Sequence, residues 1–236
     1  MRVSLADQPA PAAARMPGNL AIALGANLAS PTGPPLATFL AVRPLLEALL
    51  QTFREAQSAA PHAPTAQTAC AWSRPLVRWS PLFCTAPLGG PAGQPDYLNA
   101  VVLVSPAIPP TPVLALKLLT ELQALEQRFA RQRLERWGPR SLDLDLLWWD
   151  DLRCRSEALE LPHPRLLERV FVLAPLAAID ARLVPPGTQA PVGALLAQLE
   201  ATSPGPAPVR LAGRPGWPEW PADHEQTREE TVGPRR

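Results

Sequence analysis

The chain enters a predicted strand through Arg136-Trp137-Gly138-Pro139-Arg140-Ser141-Leu142-Asp143-Leu144-Asp145-Leu146-Leu147. Side chains two apart in a strand share a face, so Asp143 and Asp145 lie together while the alternating leucines fill the other face. Two adjacent carboxylates repel each other unless they share a cation. Mg²⁺ takes one or two protein carboxylates and completes its shell with water and phosphate oxygens. Because Arg136 and Arg140 suit phosphate binding, the stretch predicts a magnesium–phosphate site. An ordinary polar strand face remains the alternative for these residues alone.

Composition excludes several other classes of function. The chain has 236 residues with 32 Pro and 13 Gly, which predicts one domain plus a linker, insert or tail. The net charge of +1 gives no general attraction to nucleic acid or to an acidic membrane. Only Lys117 is a lysine, and no Gly-Lys-Ser/Thr string occurs, which argues against a Walker-A phosphate loop.

The cysteines and the N-terminus bear on where the protein works. Cys70, Cys84 and Cys154 are odd in number and widely spaced, which argues against a disulfide framework or a zinc site. By inspection, no apolar run approaches the roughly 20 residues that span a bilayer. The N-terminus lacks the layout of a secretion signal. We therefore expect a cytoplasmic protein with no membrane or nucleic-acid partner.

Shifts in composition predict the domain boundaries. Residues 1–18 are predicted to be a disordered leader, 19–202 a single domain, and 203–236 a disordered tail. A Pro/Ala-rich surface insert is predicted at about 57–75, inside the domain. Trp217 lies in the predicted tail, where it either docks on the domain or is solvated.

The order of predicted elements indicates the fold class. Strands are predicted at 19–28, at 76–84, at 97–104 and at the Asp-bearing stretch. The second of these is predicted to be bent or to lie at an edge of the sheet because of Pro81. Helices are predicted at 36–53 and after Thr111, and a last helix at 192–199. This order is typical of an α+β, ferredoxin-like antiparallel sheet with helices packed over one face. RNA-recognition modules share this topology but need exposed aromatic residues on a central strand, and 98–104 has none.

Several stretches, in this order along the chain, resemble the 6-hydroxymethyl-7,8-dihydropterin pyrophosphokinase family. They are 23–28, 85–88, 94–101, 136–147 and 161–171, within roughly residues 20 to 200. The Arg-Trp-Gly-Pro-Arg-x-Leu-Asp-Leu-Asp string is highly specific to that family. The resemblance implies an ATP-dependent diphosphotransferase of tetrahydrofolate biosynthesis, which transfers pyrophosphate from ATP to the hydroxymethyl group of the pterin and releases AMP. We expect a monomer.

The resemblance also implies roles for individual residues. Asp143 and Asp145 would hold two Mg²⁺ ions that clamp ATP. A mobile catalytic loop would carry Arg131, Arg133, Arg136, Trp137 and Arg140. The ATP-binding positions would be Gln123, Glu126, Arg136, Trp137, Arg140, Leu146, His163 and Arg169. The pterin-binding positions would be Thr85, Pro87, Leu88, Tyr97, Asn99 and Phe171, with the two aromatic rings enclosing the pterin and Asn99 contacting its polar edge.

Two alternatives compete with this interpretation. The aspartates could serve another metal-dependent phosphoryl enzyme, such as a nuclease, although a nuclease usually has more carboxylates. The domain could also be a non-catalytic ferredoxin-like binding module. That alternative does not explain why arginines and aspartates lie next to each other at 136–145. The chain departs from the family's usual residues at Ala26, Ala86, Ala130 and Pro164, and none of these changes removes a metal or phosphate ligand.

Overall fold

A computed structural model describes residues 19–58, 76–105, 109–131, 138–203 and 205–219. The predicted leader, most of the predicted insert and the end of the predicted tail lie outside these ranges. So do Arg133, Arg136 and Trp137 of the predicted catalytic loop.

An antiparallel sheet forms the centre of the domain. The described strands are β1 (Leu20–Ala26), β2 (Leu76–Trp79), β3 (Phe83–Thr85), β4 (Tyr97–Ser105), β5 (Asp143–Trp149), β6 (Cys154–Arg155), β7 (Glu160–Leu161) and β8 (Val209–Arg210). The main sheet has the order β5-β1-β4-β3-β8, and β2 also pairs with β4. β6 and β7 pair separately. The predicted mixture of helices and antiparallel sheet is thus confirmed.

The described residues include four α-helices, which pack around this sheet. They are α1 (Pro35–Ser58), α2 (Pro112–Arg128), α3 (Val170–Ile179) and α4 (Val192–Thr202). α2 starts as predicted, because Thr111 Oγ1 accepts a hydrogen bond from the Leu114 amide at 3.2 Å and Pro112 occupies the first turn. The described part of α1 reaches Ser58, two residues into the predicted insert.

The helices cover both faces of the sheet, so the prediction of helices over one face was wrong. α1 and α2 pack on the face that buries Ile22 and Val102. α3 packs on the face that buries Ala21 and Val101, and α4 joins the same apolar layer by packing against α3. Central strands that are apolar on both faces need a layer of helices on each side. A single domain with two apolar layers results.

The predicted bend at Pro81 divides one predicted strand into β2 and β3. Both strands pair with β4 on either side of the bend. Pro81 has no N–H to donate to a ladder, so the pairing is interrupted there. At the bend, the Ser80 amide donates to the Val101 carbonyl and Ser80 Oγ accepts from the Val101 amide, both at 2.9 Å.

Residues 205–219 are folded onto the domain, which corrects the prediction of a disordered tail from residue 203. β8 pairs with β3, and Trp217 is buried at 6% exposure. A Pro- and Gly-rich composition predicts disorder because it lacks a local periodicity. The partners of this segment are distant in sequence, so composition could not show them.

One helix also corrects the sequence-based statement about apolar runs. Pro35–Phe53 of α1 is 19 residues long with a mean hydropathy of 1.3, which suffices by length and composition to cross a membrane. Its side chains at Phe39, Val42 and Leu46 are nevertheless fully buried in the core. A core helix passes the same test, so this feature is weak evidence for a membrane span.

Candidate active site

A cleft opens on the face of the sheet where the apolar layer under α3 ends. It lies beside β1, β4 and β5 and is bounded by the loop after β3 and by the residues around the start of α3. Its lining residues are Ala23, Leu24, Gly25, Thr85, Ala86, Leu88, Gly89, Tyr97, Asn99, Arg140, Asp143, Asp145, Arg165, Arg169 and Phe171. Gly25 has no side chain at the floor, where a Cβ would be in van der Waals contact with Asn99 Oδ1 at 3.4 Å.

Two carboxylates and the arginines paired with them lie on one side of the cleft. Asp143 is paired with Arg140 and, at 2.6 Å, with Arg131. Asp145 is paired with Arg169 at 2.6 Å. Burial, and then the neighbouring Asp145 carboxylate, raise the pKa of Asp143, while the arginines oppose that rise. Nearby positive charge therefore stabilises the ionised forms of these two carboxylates.

The donor set of these carboxylates fits Mg²⁺. Asp143 and Asp145 present hard oxygen ligands from one face of β5, as their i, i+2 spacing predicts. Among the described residues, no group of three or more His, Cys, Asp or Glu side chains could hold a metal ion. A metal at this cleft would thus depend on the two aspartates together with oxygens from a substrate.

Glu126 connects α2 to the carboxylate-bearing strand. Its carboxylate accepts a hydrogen bond from the Leu144 amide at 2.7 Å and is ion-paired with Arg131. The side chain is buried, and burial raises its pKa despite the opposing Arg131 charge. Because Arg131 is ion-paired with both Glu126 and Asp143, it links α2 to the candidate metal ligands on β5.

An aromatic and amide group forms the other side of the cleft. Asn99 Nδ2 donates to Thr85 Oγ1 at 2.7 Å, which leaves the Asn99 carbonyl oxygen beside the floor at Gly25. The Tyr97 hydroxyl donates to the Gly138 carbonyl at 3.1 Å, and burial raises its pKa. The Arg169 guanidinium lies 5.6 Å from the Phe171 ring centroid. This side offers two aromatic rings and an amide edge, which suits a flat polar heterocycle.

Two hydrogen bonds hold His163 next to the cleft. Its amide donates to the Leu147 carbonyl at 2.7 Å, and its Nδ1 accepts from the Arg165 amide at 3.1 Å. Burial, followed by the positive charge of Arg169, lowers its pKa. Since Nδ1 is an acceptor, the ring proton resides on Nε2.

Comparison with known proteins agrees with this geometry. Residues 21–181 match the family model described as 7,8-dihydro-6-hydroxymethylpterin-pyrophosphokinase (HPPK), which is more than half of the chain. The chain belongs to the HPPK family. Pyrophosphate transfer in folate biosynthesis is the activity that goes with this family and with the names of its relatives, so the resemblance seen in the sequence is confirmed.

Two relatives and one solved structure give the extent of similarity. The chain is 41% identical to the 2-amino-4-hydroxy-6-hydroxymethyldihydropteridine pyrophosphokinase of Synechocystis sp. over 110 residues, 47% of this chain and 54% of that protein. The enzyme of the same name from Pseudomonas aeruginosa is 39% identical over 138 residues, 58% of this chain and 78% of that protein. The Plasmodium falciparum HPPK-DHPS structure with SDX-DHP has a TM-score of 0.41 at 10% identity, over 77% of this chain and 43% of that chain, too distant to bear on the fold.

Of the residues predicted for the HPPK site, most of those that the structure describes line the cleft. These are Thr85, Leu88, Tyr97, Asn99, Arg140, Asp143, Asp145, Arg169 and Phe171. Six others do not line it: Pro87, Gln123, Glu126, Arg131, Leu146 and His163. Leu146 is the clearest case, since its side chain is buried in the apolar layer on the opposite face of the sheet. Any contact of Leu146 with a ligand in the cleft would have to use its backbone.

The structure adds residues that the sequence prediction missed. Arg165 lines the cleft, and its basic side chain next to the predicted His163 was an available signal. Asn27 is 4% exposed and accepts a hydrogen bond from the Arg140 amide at 2.8 Å. Asn27 lies in a stretch that carries the family resemblance, but only its long-range hydrogen bonds indicate a role.

Proposed function

We propose that this HPPK family member transfers the β,γ-pyrophosphoryl group of ATP to 6-hydroxymethyl-7,8-dihydropterin with Mg²⁺ as cofactor. The pterin hydroxymethyl oxygen forms a bond to the β-phosphorus, the bond from that phosphorus to the α,β-bridging oxygen breaks, and AMP leaves. One observation supports this best: a single cleft has an aromatic and amide side next to a carboxylate and arginine side.

The pterin half of the proposal uses Tyr97, Asn99 and Phe171. The rings of Tyr97 and Phe171 provide apolar faces, and the Asn99 oxygen provides a hydrogen-bond acceptor for the polar edge of the heterocycle. Thr85 keeps the Asn99 amide oriented through its hydrogen bond at 2.7 Å. Leu88, which is 59% exposed on the loop after β3, would cover the ring once it is bound.

The nucleotide half uses the arginines and the two aspartates. Asp143 and Asp145 would hold the magnesium, which when bound neutralises the triphosphate and orients it for displacement. Arg140, Arg165 and Arg169 line the same cleft and suit phosphate oxygens. We include Arg131, Arg133, Arg136 and Trp137 in this half as parts of a mobile catalytic loop, and Gln123, Glu126 and His163 as residues around the nucleotide.

The proposal extends to the fold and to the setting of the enzyme. We propose a ferredoxin-like arrangement, which is supported by the order β5-β1-β4-β3 with α1 and α2 in the connections. We propose a cytoplasmic monomer, and size-exclusion chromatography with light scattering tests the monomer directly.

A single assay tests the reaction against its alternatives. Purified protein is incubated with ATP, Mg²⁺ and 6-hydroxymethyl-7,8-dihydropterin, and AMP is quantified against a reaction that lacks the pterin. Pterin-dependent AMP release with equimolar pterin pyrophosphate is the expected result. Release of ADP, cleavage of nucleic acid, or pterin binding without AMP would instead support another phosphoryl enzyme, a nuclease or a binding module.

A further inference from the structure

The segment 205–219, called the C-terminal segment here, lies beyond the residues that match the HPPK family. It packs on the apolar layer under α1 through Trp217. The Trp217 ring centroid is 5.1 Å from that of Trp79 and 5.8 Å from that of Phe39. Trp217 Nε1 also donates a hydrogen bond of 2.8 Å to the Ser80 carbonyl, in the buried interior.

This hydrogen bond completes the bend between β2 and β3. Ser80 uses its amide and its hydroxyl to pair with Val101 of β4. Its carbonyl lies at the interruption that Pro81 causes, where the sheet ladder is broken. A buried carbonyl without a donor is unfavourable, and the indole N–H supplies the donor.

The C-terminal segment also pairs with the outer edge of β3. Cys84 is opposite Val209, and the Leu211 amide donates to the Leu82 carbonyl at 2.8 Å. Because hydrogen-bonded pairs alternate along an antiparallel ladder, the Val209–Cys84 pair is hydrogen-bonded as well. β3 has three residues, so the pairing on both of its edges determines where it lies.

β3 leads directly into the pterin half of the cleft. Its last residue, Thr85, is 9% exposed and binds the Asn99 amide at 2.7 Å. By contrast, the aspartates lie on β5, at the opposite edge of the main sheet from β8. A displacement of β3 would therefore reach Thr85 and Asn99 before it reached the carboxylates.

We propose that the C-terminal segment positions β3 for pterin binding, with Trp217 as its anchor. The inference rests on the proposed function, since it assigns the aromatic and amide side of the cleft to the pterin. Trp217 and Val209 are positioning residues, which act through β3. Loss of the segment's pairing weakens pterin binding and leaves nucleotide binding nearly unchanged.

Proline and alanine at position 209 provide a matched test in the full-length chain. Val209 is 61% exposed, so Val209→Ala removes little packing and keeps the amide, whereas Val209→Pro removes the N–H that faces Cys84. Binding of 6-hydroxymethylpterin is measured by fluorescence titration with Mg²⁺ and α,β-methylene-ATP, together with KM and kcat for both substrates. We expect Val209→Pro to raise the pterin Kd and the pterin KM about tenfold, and to raise the ATP KM less than about twofold. Val209→Ala is expected to have the same Kd and KM values as the parent protein.

Several outcomes would overturn the inference. One is an unchanged pterin Kd in Val209→Pro. Another is an equal loss of affinity for pterin and for ATP, which would mean that the segment only supports folding. If Val209→Pro does not fold, Trp217→Phe replaces it, because it keeps an aromatic ring in the core and removes the Nε1–H bond to Ser80 together with part of the indole. An unchanged pterin Kd in folded Trp217→Phe would then reject the inference. Pterin binding without AMP release in the parent would reject the proposed reaction instead, while the titrations would still test the segment.

Discussion

Asn27 and Arg140 are joined by reciprocal hydrogen bonds. Asn27 Oδ1 accepts from the Arg140 amide at 2.8 Å, and the Arg140 carbonyl accepts from the Asn27 amide at 2.9 Å. The Asn27 side-chain amide also donates to the Pro95 carbonyl at 3.0 Å. One buried side chain thus connects the turn after β1, the residues before β5 and the loop before β4. These bonds join Arg140, on the carboxylate side of the cleft, to the loop that precedes Tyr97 on the aromatic side.

Replacement of Asn27 by Ala is expected to reduce both stability and activity. It leaves the Arg140 amide and the Pro95 carbonyl without their partner, and the loss of these two partly buried hydrogen bonds costs about 0.5–1.5 kcal/mol each. The free energy of unfolding is measured by urea titration and the rate by AMP release. Thr52→Ala is the control, since Thr52 makes an exposed hydrogen bond to the Ala48 carbonyl and should change stability by less than about 0.5 kcal/mol. Equal stability of the two variants would contradict the role of Asn27.

Asp143→Ala and Asp145→Ala are each expected to lower kcat by at least about 100-fold, as the loss of electrostatic stabilisation in a transition state does. Pterin binding should be less affected, because the aspartates lie on the nucleotide side of the cleft. AMP release and pterin titration are compared for each variant, with exposed Glu157→Gln as the charge-removal control. Equal loss of pterin binding and of rate would show that the pair is structural.

Phe171→Ala is expected to raise the pterin KM about tenfold, since it removes one aromatic face of the proposed binding site. Tyr97→Phe keeps the other ring and removes only the hydroxyl that donates to the Gly138 carbonyl. The pterin KM of Tyr97→Phe should therefore stay within about twofold of the parent value. The pterin KM of both variants is measured by steady-state kinetics with saturating ATP. A larger pterin effect from Tyr97→Phe than from Phe171→Ala would contradict ring stacking.

His163 is expected to make stability fall as the pH is lowered. Burial and the charge of Arg169 lower its pKa below the ordinary value of 6.5, so the unfolded chain binds the proton more tightly. Its contribution is fully present above pH 6.5 and is lost as the pH falls towards the lowered pKa, at up to about 1.4 kcal/mol per pH unit.

The contribution of His163 is isolated by comparing how the free energy of unfolding changes with pH in the parent protein and in His163→Gln. Asp143 and Glu126 have raised pKa values, and their contributions run in the opposite direction in both proteins. Urea unfolding at pH 7.5 and 5.5 gives the difference, and the parent should lose more stability than the variant over this interval. The same pH dependence in both proteins would mean that His163 titrates normally.

The amino-acid sequence alone predicted the parts of the protein that depend on local periodicity. The i, i+2 spacing put Asp143 and Asp145 on one face of a strand, and both line the cleft. Thr111 and Pro112 predicted the start of α2, and Pro81 predicted the bend between β2 and β3. These features follow from the backbone geometry of a few consecutive residues.

Only the tertiary structure decided which side chains meet. It buried Leu146 on the face opposite the cleft, brought Arg165 to the cleft and put Glu126 beneath β5. It also buried Trp217 against residues more than a hundred positions earlier in the chain, in a segment whose composition predicted disorder. Such contacts are set by the packing of distant elements, and the type of a residue does not specify its partner. The sequence thus determined the chemistry that is present, and the fold determined how it is assembled.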